Sequence, residues 1–133
     1  MRQLERLVRS IDRQIKQAAI EDPECEHMGT TLSAIVFAGD FAVSAHVGDS
    51  RIYRFRDGRL NQLTSENTFV QEMIEEGELS PDEAVYHPLR NMLTRALGTQ
   101  EPLEEIEIGR LNIAHGDCFL LSSDGLHGLV PVN

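Results

Sequence analysis

The sequence predicts an α+β domain with antiparallel sheets, and three observations carry that reading. An amphipathic stretch at helical spacing opens the chain, a series of short β-favouring runs with tight turns follows, and two further strand-like runs lie beyond a second helical region. Parallel strands would need crossovers of a dozen or more residues, and residues 31–63 leave no room for them.

The first element is a helix over residues 3–20. Its apolar residues fall at Leu4, Leu7, Val8, Ile11 and Ile15, then Ala18 or Ala19, which is one stripe at a period of 3.6. The opposite face carries Arg2, Glu5, Arg9, Asp12 and Lys16, with Glu5–Arg9 and Asp12–Lys16 four residues apart, where opposite charges meet. Asp22-Pro23 ends the helix, because the residue before a proline is pushed out of helical geometry. The stripe makes this helix one layer of the core.

Strands are expected within residues 31–63. Runs rich in Val, Ile, Phe and Thr at 31–37, 41–47 and 52–55 are divided by Ala38-Gly39-Asp40 and Gly48-Asp49-Ser50. Asp57-Gly58 is a strong two-residue hairpin signal, with the returning strand at 60–63, so the expectation is an antiparallel meander. Residues 68–76 return to helical spacing, with Phe69, Val70, Met73 and Ile74 on one side and Gly77 as the stop. Ser80-Pro81-Asp82-Glu83 has the pattern of a capping box with proline at the first helical position, opening a helix that ends near His87-Pro88. Residues 103–111 alternate like a half-buried strand. The nearly continuous apolar run 117–122 predicts a buried strand, in which Cys118 is a small buried hydrophobe.

Composition narrows function by exclusion. A single domain of 133 residues is expected, with 12 basic against 22 acidic residues and a formal net charge of -10. Nucleic-acid binding needs a basic face, so no nucleic-acid partner is expected. Cys25 and Cys118 lack zinc or redox spacing, the five histidines include no i,i+4 zinc pair, and there is neither a Gly-x-Ser-x-Gly elbow nor a phosphate-binding glycine loop. The charged opening Met1-Arg2-Gln3-Leu4-Glu5-Arg6 reaches no apolar signal region, and no run is long enough to span a bilayer. No membrane partner and a reduced, cytoplasmic setting are the expectation.

Two aspartates stand out by position. Asp49 lies in Gly48-Asp49-Ser50, at the junction of two strands, and Asp124 lies in Ser122-Ser123-Asp124-Gly125, at the end of the most apolar one. A carboxylate at a strand end can face a hard cation beside the sheet, and Mg²⁺ or Mn²⁺ favours such oxygen donors. Each aspartate alone is equally well explained as a turn or cap residue.

Four segments taken in order go further: Met28-Gly29-Thr30-Thr31-Leu32, Val47-Gly48-Asp49-Ser50-Arg51-Ile52-Tyr53, Asn91-Met92-Leu93-Thr94-Arg95-Ala96-Leu97-Gly98 and Ser122-Ser123-Asp124-Gly125-Leu126. With the intervening hairpin, they resemble the bacterial branch of the PPM (type 2C) metal-dependent protein phosphatases over nearly the whole chain. The resemblance implies a β-sandwich of two antiparallel sheets flanked by helices, with residues 66–90 as a flap beside the substrate entrance. It also implies a binuclear Mn²⁺ or Mg²⁺ centre at which a metal-activated water hydrolyses phosphoserine or phosphothreonine in a protein substrate. In that pattern Asp124 matches a ligand of one core metal, Asp49 a carboxylate of a further, weaker metal site, and residues 29–31 a structural strand entry.

The departures are specific. The family's Asp-Gly-x-Gly-Gly-type motif is expected ahead of Met1 and its Asp-Asn pair beyond Asn133, so this chain is expected to be a piece of the domain truncated at both ends. Glu66-Asn67-Thr68 stands where many relatives have Asp-His-Ser. The ligand set is thus incomplete, and the chain alone is expected to be weakly active or inactive. The alternative is a non-catalytic phosphatase-like module that binds a phosphoprotein or partner. Uncovered sheet edges would also favour self-association.

Overall fold

The computed structural model describes residues 1–130. Helix α1 spans Arg2–Glu21 and ends where Asp22 turns extended ahead of Pro23, after which Pro23–Cys25 form a short 3₁₀ turn. Six strands follow: β1 Leu32–Ala38, β2 Phe41–Val47, β3 Arg51–Arg56, β4 Arg59–Gln62, β5 Glu107–Asn112 and β6 Cys118–Ser122. They form two three-stranded antiparallel sheets, one in the order β1-β2-β5 and the other in the order β4-β3-β6. The expected two-sheet architecture is present. The expected continuous meander is not: β2 and β3 belong to different sheets, and the chain crosses between them at Gly48-Asp49-Ser50. A short turn in sequence can join two strands of one sheet or carry the chain between two sheets, and strand periodicity does not distinguish these outcomes.

The core centres on β2, which is buried along almost its whole length. Val8 of α1 packs with Ala45, Val47 and Leu97, and Leu4, Ile11, Ile15, Leu32, Leu103, Ile106 and Ile108 close around them. The helical stripe read from sequence is therefore the packed face of α1, with two exchanges. Leu7 is 57% exposed, whereas Asp12, assigned to the polar face, is 6% exposed. Asp12 lies one turn after Val8 on the same face, and its burial is compensated. Its Oδ1 accepts the Gly98 N–H at 2.8 Å, and its Oδ2 meets Lys16 Nζ at 2.9 Å. The Glu5–Arg9 pair also forms, and the Arg9 guanidinium goes on to donate to the carbonyls of Leu103 and Glu104.

A second difference lies beside that clamp. Residues 103–106 are not a paired strand: the Leu103 and Glu104 carbonyls accept from Arg9, β2 ends at Val47, and pairing starts at Glu107 opposite His46. The hairpin signal is realised with Arg56 opposite Arg59, and Asp57 and Gly58 take φ of 50° and 76°, as a type I′ turn requires. Helix α2 covers Phe69–Glu75, capped by Thr68 and followed by Gly77 at φ 78°. Helix α3 covers Pro81–Ala84, with the predicted capping box formed. It stops at Ala84, short of His87-Pro88, because the chain tightens there into i→i+3 bonds from Tyr86 to Glu83 and from His87 to Ala84.

Strand β6 is where the apolar pattern misleads. Leu120 and Leu121 are 42% and 44% exposed, and Cys118 is an exposed free thiol. An apolar run buries itself only when layers lie on both of its faces, and among the described residues β6 is an edge strand paired with β3 alone. Phe119 reaches across to Phe37 of β1, edge to face with ring centroids 5.6 Å apart, and ties the two sheets together. Val36 and Phe37 also stay exposed on the edge strand β1.

Two expected outcomes follow from these contacts. Asp12→Ala leaves the buried Gly98 N–H without its acceptor and should cost about 1–3 kcal/mol of unfolding free energy in urea titration, while Asp12→Asn, which keeps an acceptor oxygen, should cost less. The second concerns Asp117, whose carboxylate accepts from Arg56 Nε and Nη2, both at 2.6 Å, and from the Ala114 N–H. The Arg56 bonds, against the cost of partial burial, hold Asp117 well below the ordinary 3.8, at about 2. A depressed carboxylate adds stability above its unfolded pKa and loses it as pH falls through the folded value. The thermal midpoints of the parent chain and Asp117→Asn should therefore differ at neutral pH and converge between pH 4 and pH 2.

Candidate metal centre

Antiparallel pairing brings the two singled-out aspartates to one end of the second sheet. Arg51, the first residue of β3, lies opposite Ser122, the last residue of β6. Asp49 stands two residues before the first and Asp124 two residues after the second, so both leave the sheet at the same edge. Asp124 opens helix α4, Asp124–His127. Both aspartates line a cleft of about 370 Å³ whose other wall is built from α2, α3 and the segment that follows them, including Thr68, Gln71 and Asn91. The region matched to a flap thus forms the wall facing the two carboxylates.

The turn that carries Asp49 is tightly specified. Gly48 adopts φ 109°, a left-handed conformation, and a Cβ there would lie 2.4 Å from Thr31 Cγ2. Thr31 Oγ1 and Ser50 Oγ are hydrogen-bonded at 2.8 Å, and Ser33 Oγ pairs with His46 Nδ1 at 2.8 Å just beneath. The Thr31 and Ser50 hydroxyls are thus engaged with each other across the turn. His46 is a core residue at 1% exposure, and burial lowers its pKa against the opposing charge of Glu107.

Cationic and imidazole groups share the cleft. Arg51 donates from Nε to Glu66 Oε1 and from Nη1 to Tyr53 Oη. Burial opposes its charge, but the Tyr53 bond and Glu66 outweigh it and raise its pKa. His127 Nδ1 is 3.1 Å from Ser122 Oγ, and burial together with Arg51 lowers its pKa against the pull of Glu66, Asp49 and Asp124. Sequence reasoning missed Glu66 and His127 as cleft residues. Glu66 had a signal, its place in the Glu66-Asn67-Thr68 departure, whereas a histidine three residues after an aspartate has none.

Among the described residues, no group of three or more His, Cys, Asp or Glu side chains is placed to hold an ion. What is present is a pair of carboxylates at a cleft edge. That donor set fits a hard divalent cation that keeps most of its water, as Mg²⁺ does with one or two carboxylates. It does not fit a closed site.

The chain is thus a two-sheet α+β domain with two aspartates lining one cleft at a sheet end, and comparison with known proteins gives its family. A family model described as protein phosphatase 2C matches residues 1–132, and the chain belongs to that family. It is 47% identical over 105 residues to the serine/threonine protein phosphatase PstP of Mycobacterium tuberculosis, covering 79% of this chain and 20% of that protein. Among solved structures, the serine/threonine phosphatase Stp1 of Staphylococcus aureus superposes with a TM-score of 0.89 at 31% identity, over 98% of this chain and 51% of Stp1. The catalytic domain of PstP, solved in complex with two manganese ions, superposes with a TM-score of 0.78 at 40% identity, over 90% of this chain and 49% of that one. The chain therefore spans between a fifth and about half of the length of these relatives.

The turn at Gly48 gives a direct check on the geometry. Gly48→Ala should lower stability by about 1–3 kcal/mol for the left-handed φ alone, with the Thr31 clash added, and chemical denaturation measures it.

Proposed function

We propose that this chain forms part of the catalytic domain of a metal-dependent protein serine/threonine phosphatase, with Asp49 and Asp124 as carboxylates that hold divalent cations, Mn²⁺ or Mg²⁺. The observation that carries the reading is that these two aspartates, 75 positions apart in sequence, line the same cleft. Bound cations would supply activation of water and neutralisation of phosphoryl charge. The chain's own residues do the rest. The β3–β6 pairing sets the two carboxylates at one edge, Arg51 brings a firmly protonated guanidinium to the same cleft, and residues 66–90 shape access as a flap. A phosphoserine or phosphothreonine side chain presented by a protein is the substrate class that such a cleft suits. A cytoplasmic setting is part of the same proposal; no helix among the described residues is long and apolar enough to cross a membrane.

Two carboxylates are too few to fix two cations, so the isolated chain should bind Mn²⁺ weakly and release negligible phosphate from a phosphothreonine peptide or para-nitrophenyl phosphate. Self-association belongs to the same proposal. The edge strands β1 and β6 carry exposed Val36, Phe37, Leu120 and Leu121, and unpaired edges of that kind recruit other chains.

Calorimetric titration with MnCl₂ tests the reading. Asp124→Asn and Asp49→Asn should each weaken the measured binding. Unchanged affinity in both variants overturns the assignment, and brisk Mn²⁺-dependent turnover by this chain, abolished by Asp124→Asn, overturns the expectation that it is inactive alone.

A further inference from the structure

The residue before Asp49 is held by hydrogen bonds on both sides of its backbone, and one residue, Asn67, makes both. The Gly48 N–H donates to Asn67 Oδ1 at 2.8 Å, and the Asn67 N–H donates to the Gly48 carbonyl at 2.7 Å. Asn67 thus meets both polar groups of the amino acid from which the Asp49 backbone departs. Its own carbonyl accepts the Thr94 N–H at 2.8 Å. The next residue, Thr68, is 1% exposed, caps α2, and bridges to Leu93. Asn67 is therefore where three pieces of chain converge: the crossing between the sheets, the start of the flap helix, and the segment at 92–94.

We propose that Asn67 is a positioning residue for the Asp49 carboxylate, setting its direction through Gly48 and coupling it to the flap. The inference rests on the assignment of Asp49 to cation binding. Gly48 has no side chain to fix its orientation, and a glycine takes φ of either sign about as readily, so the contacts around it decide which one it holds. The Thr31–Ser50 hydroxyl pair restrains the turn after Asp49, and Asn67 restrains it before. Removing the Asn67 acceptor frees the Val47–Gly48 peptide plane and leaves the Asn67 backbone N–H alone to hold the plane that leads to Asp49, so the carboxylate one residue on would sample directions away from the cation. Partners that orient a ligand in this way commonly contribute about 10–100-fold to metal affinity.

The test uses the full chain, MnCl₂ as the probe, and calorimetric affinity as the readout, with thermal unfolding recorded for each variant. Asn67→Ala and Asn67→Leu should each weaken Mn²⁺ binding by about 10-fold or more. Asn67→Asp keeps an oxygen that accepts the Gly48 N–H and should retain affinity within about threefold, a rescue that loss of packing alone would not produce. Asn67→Leu keeps the volume if the alanine variant fails to fold. If Asp49→Asn weakens binding while both Asn67→Ala and Asn67→Leu match the parent, the positioning role is overturned and the cation assignment stands. The role is likewise overturned if Asn67→Asp weakens binding as much as Asn67→Ala. If Asp49→Asn has no effect, or the parent chain takes up no Mn²⁺, the assignment of Asp49 falls, and the role of Asn67 falls with it.

Discussion

At Gly48 the chain leaves one sheet and enters the other within three residues, and the rest of the molecule is arranged around that passage. The crossing is possible because a residue without a Cβ can take φ 109° while Thr31 presses against it. Once β2 and β3 are committed to different sheets, each can serve as the centre of its own. β2 takes β1 and β5 as neighbours, and β3 takes β4 and β6. The aspartate next to the crossing is then obliged to stand at a sheet end, and the strand returning antiparallel to β3 delivers the second aspartate to the same end. Site and scaffold share one geometric cause.

The surroundings of this edge are graded from apolar to charged. Beneath it lie Ile52, Val47 and Ala45, all fully covered, with the Ser33–His46 pair as a polar inclusion. Above it Arg51, Glu66, His127 and the two aspartates face a partly open cleft. Arg51 spends two of its donors on Glu66 and Tyr53, which holds its charge in place beside the carboxylates. Arg51, the positive neighbour of the two aspartates in the cleft, is thus already paired with Glu66. Interactions among these groups are stronger than on an open surface, because burial on the core side lowers the local dielectric.

Much of this was legible in the sequence, for identifiable reasons. The Val8–Ile11–Ile15 spacing, the Asp57-Gly58 hairpin and the Ser80–Glu83 capping box act over short range and each formed as expected, while the four family-like segments together pointed to the family that the comparison shows. What was not legible depends on layers that periodicity does not see. Asp12 looked solvent-facing because its partner, Gly98, lies 86 residues away. The apolar run at 118–121 looked buried because alternation and continuity report what a strand could bury, not what lies over it. The split between sheets was invisible because a glycine turn has the same sequence whether it folds back or crosses over. The two aspartates stood out by position and resemblance, and the structure puts both on one cleft, while Asn67 carried no mark beyond a departure from the family pattern.

The pairings that complete each sheet are distant in sequence: Ser44 reaches Gly109 across 65 residues and Arg56 reaches Asp117 across 61. The β1–β2 and β3–β4 hairpins, by contrast, close across two-residue turns. Closing a long loop costs more entropy than closing a short one, and folding slows as such contacts dominate. As the polypeptide leaves the ribosome, the hairpins and α1 can form early, yet neither sheet gains its third strand until β5 and β6 have emerged. Until then the edges of β2 and β3 that those strands will take remain open to whatever else is in reach, which makes β5 and β6 the safeguard of the hairpins made before them.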